Sequence, residues 1–130
     1  MSNGHHPLPV RRVVAFLVAQ QAVKRMLPKR HGSILFTGAS ASVKGYALSA
    51  PFAMGKFAMR GLAQSLAREL GPKGLHVAHV IVDGGIGRAG ANEGGRLDPD
   101  AIAATYLQIH RQPPSTWAHE VDLRPAVEKF

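Results

Sequence analysis

Two short apolar runs separated by a long stretch free of helix breakers constrain this chain most. "SILFT", Ser33 to Thr37, is β-prone and comes directly after a glycine. "LHVAHVIV", Leu75 to Val82, is a second run of the same kind. Between them, "PFAMGKFAMRGLAQSLAREL" runs from Pro51 to Leu70, opening on a proline and stopping at Gly71-Pro72, as helices do. A strand, a long helix and a strand predict a βαβ unit with parallel strands and a right-handed crossover. The small, polar segment "GASASVKGYALSA" before the helix reads as a loop.

The flanks extend the alternation. "VVAFLVAQQAVKRML" from Val13 predicts a helix over 13–27 with a cationic last turn, which suits the helix dipole. It is apolar around much of its circumference, which predicts burial on more than one side. After Val82 comes the irregular, glycine-rich "DGGIGRAGANEGG". Asp98 is then a candidate N-cap, with Pro99 at the first position of a helix ending near Arg111. "TWAHEVDL", Thr116 to Leu123, predicts a third strand. The order predicts an α/β fold, a partial Rossmann-like (doubly wound) parallel sheet of about three strands with flanking helices. Residues 1–12, rich in Gly, His and Pro, read as a mobile leader before one domain at 13–130.

Charge and residue types exclude several functions. The net charge is +8, and residues 1–68 contain no Asp or Glu. The basic residues are dispersed and punctuate element ends, with no zinc-finger spacing or stacking aromatics beside them, so a solvated basic face is expected and nucleic acid is not an expected partner. A basic nucleic-acid or anion binder is the third and weakest of three readings. The chain has no cysteine, which excludes disulfides and thiolate metal sites and fits a cytoplasmic protein. No apolar run approaches the ~18 residues that span a membrane. His76 and His79 are three apart in a strand and face opposite sides, and the other histidines show no ligand spacing, so no metal site is expected. Trp117 is expected in a core or an interface.

Three blocks carry a resemblance. "GSILFTGASAS", "FAMGKFAMRGLAQSLARELGPKGLHVAHVIVDG" and "DPDAIAATY" with the later "EVDLRP" resemble, in order and spacing, the second half of a short-chain dehydrogenase/reductase. The resemblance runs from about Val13 to Lys129. It implies NAD(P)-dependent oxidation or reduction of a hydroxyl or carbonyl, with NAD or NADP as cofactor.

The resemblance implies roles residue by residue. Lys56 matches the family lysine, which lowers the pKa of a catalytic tyrosine one helical turn earlier and holds the nicotinamide ribose. The tyrosine position is Phe52, which has no hydroxyl and cannot transfer a proton. The family serine that bonds the substrate carbonyl matches Ser40 or Ser42, of which Ser40 fits better, or its place is taken by Ala39. The family asparagine has no counterpart. Asp83, Gly84 and Gly85 match the segment lining the nicotinamide side, with Asp83 where proline is common. The glycine-rich turn that holds the dinucleotide phosphates matches nothing ahead of Val13. The resemblance therefore implies a truncated relative, not catalytically competent alone.

Each residue also has a plainer expectation. Lys56 is a helix-surface lysine, and Phe52 a packed aromatic near a helix start. Tyr46 is a loop tyrosine packed on the sheet rather than a substitute acid. The serines satisfy loop backbone groups. A second reading of the chain is a non-catalytic association module. A homo-oligomer is expected, through helices 13–27 and 51–70 or through the open edge of strand 33–37.

Overall fold

The computed structural model describes residues 7–87 and 95–127, with side chains from Val14 onward. Among these residues three α-helices and three strands alternate: α1 (Pro7–Met26), β1 (Ser33–Ala39), α2 (Ala50–Leu70), β2 (His76–Val82), α3 (Pro99–Arg111) and β3 (Glu120–Leu123). The sheet is parallel throughout, in the order β1-β2-β3. β1 pairs with β2 from Ser33↔His76 to Ala39↔Val82. The shorter β3 joins the second half of β2, from His79↔Glu120 to Val82↔Leu123.

β2 is buried at every position because it is the central strand with helices over both faces. Its alternate residues separate two cores. Val77 joins Phe36, Ala19, Ala63, Leu70 and Leu75 beneath α1 and α2. Ala78, Val80 and Val82 join Leu97 and Ile109 beneath α3. The expected α/β architecture, a partial doubly wound sheet, is what the chain adopts.

Several boundaries differ from the sequence expectation, each for a local reason. α1 starts at Pro7 rather than Val13. Pro7 and Pro9 fall in its first turn, where backbone N–H groups have no intrahelical acceptor anyway. Residues 1–6 of the expected leader lie outside the described residues. The third strand begins at Glu120, because Pro114–Thr116 form a 3₁₀ turn and Gln112 ties down Trp117 and Ala118. The Gln112 carbonyl accepts the Trp117 Nε1–H at 3.1 Å, and its side-chain oxygen accepts the Ala118 N–H at 2.8 Å. Asp98 occupies the N-cap position of α3, but its side chain makes no capping bond. β1 runs on to Ala39 and leads into a 3₁₀ turn over Ser40–Ser42, inside the expected loop.

α1 departs most from expectation. It buries one side, through Ala19, against α2 and β1. Val14, Phe16, Leu17 and Val18 stay 49–64% exposed in the single chain. The predicted burial on further sides is not supplied by the other described residues.

Candidate functional site

In an open parallel sheet, ligands gather beyond the carboxyl ends of the strands. Here those ends are Ala39-Ser40 after β1 and Asp83-Gly84 after β2, with the first two turns of α2 beside them. The polar residues singled out in the sequence sit at that end.

Ser40 Oγ donates to Asp83 Oδ1 at 2.6 Å, across forty-three positions of sequence. Asp83 is 7% exposed, and its other oxygen, Oδ2, faces Arg124 Nε at 3.4 Å. Arg124 also reaches Asp122 at 3.2 Å. A carboxylate oxygen accepts, so the Ser40 proton is turned toward Asp83.

On α2, Lys56 lies one turn after Phe52. Its Nζ is 5.6 Å from the Phe52 ring centroid, within cation–π range. The same amine donates to the Thr37 carbonyl at 3.5 Å, a long contact that ties α2 to β1. Phe52 is 42% exposed, so it is not the packed aromatic expected at a helix start. Helix spacing thus aligns an ammonium with an apolar ring where the family resemblance implied a phenol.

The serine alternatives separate by burial. Ser42 is fully buried and its Oγ accepts the Ala39 N–H at 3.1 Å, so it serves the turn. Ser40 is half-buried at the strand end. Tyr46 is half exposed rather than packed on the sheet, and its carbonyl accepts the Ser49 hydroxyl at 2.9 Å just before α2. Beyond Asp83, Gly84 adopts φ +142° and the Gly85 carbonyl accepts the Leu97 N–H at 2.7 Å. The Ile86–Leu97 bridge closes the base of this loop. Its residues 88–94 lie outside the described residues.

A network beneath the site was not legible in the sequence. His79, fully buried on the α2 face of β2, meets Glu120 Oε2 through Nδ1 at 3.1 Å. Arg60 of α2 grips the same carboxylate with two bonds of 2.9 Å. Burial pushes the Glu120 carboxyl up, but the Arg60 and His79 hydrogen bonds outweigh it and hold the group below the usual carboxylate range. The Glu120 hydrogen bond raises Arg60 in return, against a smaller opposing effect of burial. The histidine inside an apolar strand run was the only signal.

As expected, His76 faces the other side, where its ring stacks on Trp117 at 4.6 Å and its Nε2 lies 2.7 Å from the Ala118 carbonyl. Among the described residues, no three His, Cys, Asp or Glu side chains gather as a metal site. No described helix is long and apolar enough to cross a membrane.

Comparison with known proteins fits this arrangement. The short chain dehydrogenase family profile matches residues 10–94. The (21S)-21-acetoxyl-apo-melianone synthase SDR of Melia azedarach is 38% identical over 106 residues, covering 78% of this chain and 36% of that protein. The crystal structure of a short-chain dehydrogenase from Rhodopseudomonas palustris superposes with a TM-score of 0.74 at 40% identity, covering 85% of this chain and 46% of that one. A metagenomic short-chain oxidoreductase in complex with NADP has the same fold, with a TM-score of 0.74 at 23% identity over 92% of this chain and 51% of its own. The chain spans about a third of the length of such curated relatives and about half of the solved chains. With the profile covering most of the chain and the strand ends carrying the matching segments, this protein belongs to the short-chain dehydrogenase/reductase family.

Proposed function

We propose that this chain is the substrate-side half of an oxidoreductase acting on a hydroxyl or carbonyl with NAD or NADP, and that it does not turn over substrate alone. One observation carries the reading. Where the resemblance implies a phenol over the lysine, an apolar Phe52 ring faces Lys56, and the nearby Ser40 proton is directed to Asp83. Among the described residues the site thus holds a cation, a carboxylate and backbone groups, but no tyrosine hydroxyl at the Phe52 position to exchange a proton with a substrate oxygen.

The residues present fit one end of a dinucleotide. By the resemblance, Lys56 would hold a ribose hydroxyl and the backbone of Gly84-Gly85 would line the nicotinamide. The bound nicotinamide supplies or accepts hydride in this chemistry. The NADP complex of the metagenomic relative supports NAD(P) as the cofactor class. Calorimetric titration with NAD(H) and NADP(H) tests the reading. Saturation at micromolar cofactor would overturn the half-site account; no saturable heat in that range is expected.

A second reading, a non-catalytic association module, has its own observation. The exposed apolar residues of α1 and the open edge of β1 leave two surfaces uncovered in the single chain.

A further inference from the structure

The direction of one proton decides what the strand-end site can recognise. A serine hydroxyl donates once and accepts twice. The Ser40 donor is spent on Asp83 Oδ1 at 2.6 Å. The carboxylate that takes it is 7% exposed and held from its far side by Arg124. What Ser40 offers a ligand is therefore lone pairs alone. An alcohol O–H brings the missing donor. A ketone oxygen brings only another acceptor, facing the Ser40 and Asp83 oxygens. We propose that the Ser40–Asp83 pair makes this a site that selects an alcohol over the matching ketone. The inference rests on the strand-end reading of the proposed function and fixes which member of a hydroxyl/carbonyl pair the site prefers.

Asp83 sets the preference. Without Asp83 the Ser40 proton is released and the hydroxyl serves either ligand. Without Ser40 the Asp83 carboxylate loses its donor and presents its own lone pairs, which favour the alcohol in the same way. A site whose buried polar group is left unpaired by the wrong ligand discriminates against it by more than the value of one contact, because desolvation is then uncompensated.

The experiment compares cyclohexanol and cyclohexanone, which match in size and differ in the donor, by amide chemical shifts of the full chain without cofactor. Saturable shifts at Ser40, Ala41, Asp83 and Gly84 are expected with cyclohexanol. Cyclohexanone should bind at least about fivefold more weakly, the scale of one net hydrogen bond. Asp83→Ala should raise ketone binding to at least that of the alcohol. Ser40→Ala, a smaller change at a half-buried position, leaves the Asp83 oxygen as the acceptor, so the alcohol preference should persist in a chain whose remaining spectrum is unchanged. Ketone binding as tight as alcohol in the native chain overturns the proposal. So does an alcohol preference that survives Asp83→Ala, or the absence of saturable shifts for either ligand up to its solubility. Because no cofactor is present, this result stands apart from the cofactor titration: either reading can fail while the other survives.

Discussion

At Phe52 a single missing oxygen has a chemical consequence that stability does not register. The ring is 42% exposed, so an added hydroxyl meets solvent rather than a packed wall. Phe52→Tyr should leave stability within about 0.5 kcal/mol, as for most surface changes. It should also give no measurable turnover with NAD(P) across simple alcohols and ketones, because a hydroxyl one turn from Lys56 does not assemble the rest of a dinucleotide site. Turnover that depends on the new tyrosine would show a competent cofactor site in this chain. Glu120 is the opposite case, a residue whose charge matters to the fold. Its folded pKa is depressed, so its contribution is fully present above the ordinary carboxylate pKa and fades as pH falls through the lower, folded value. Glu120→Gln should lower stability at neutral pH and flatten its decline on acidification, read from urea midpoints across that range. Nothing in the spacing of Arg60, His79 and Glu120 announced this network, since the partners lie 60 and 41 positions apart and only the sheet register brings them together. Lys56 and Phe52, four apart on one helix, were legible because helix geometry alone makes them neighbours.

Among the elements, the βαβ core was readable because its apolar runs, its helix length and its breakers agree. What escaped was set by tertiary contact. β3 is cut to four residues because Gln112 and the His76–Trp117 stack claim the residues before it. The joint between β1 and β2 depends on a residue without a side chain. A Cβ on Gly38 would collide with His79 Nε2 and sit 2.5 Å from Ser42 Oγ, atoms fixed within a buried layer. Gly38→Ala should therefore displace the His79–Glu120 bond and cost about 1–3 kcal/mol, the usual range for overpacking. Equilibrium urea unfolding measures it, and a stability equal to the native chain would mean that the layer yields more easily than its packing indicates. The turn into β2 has a similar demand. Gly74 adopts φ +95° with the Arg30 carbonyl 2.5 Å from where a Cβ would lie, so any side chain there is both strained and crowded.

For the whole molecule, the question is what covers the surfaces that this chain leaves bare. Val14, Phe16, Leu17 and Val18 cluster within five residues of α1, each about half exposed or more. On α2, Met54 and Phe57 are 54% and 43% exposed. β1 is an edge strand, and its apolar residues, with no charge or proline among them, leave one side of the backbone unpaired within the sheet. Burying apolar surface contributes about 25 cal/mol per Å², so covering several large side chains offsets much of the entropy lost on association. Two copies meeting through α1 and α2 about a two-fold axis would pair these surfaces with themselves, since such an interface is self-complementary. The chain should therefore self-associate at micromolar concentration, and light scattering over a dilution series reads the mass directly. Leu17→Glu and Phe57→Glu place a carboxylate on an exposed position in the single chain, so neither should disturb the fold. Each should shift the equilibrium toward the 13.9 kDa monomer. If the mass falls while unfolding midpoints hold, the helix face is the contact. If the mass is unchanged by either substitution, the β1 edge carries the association instead. A native chain that stays monomeric throughout the series refutes self-association through either surface.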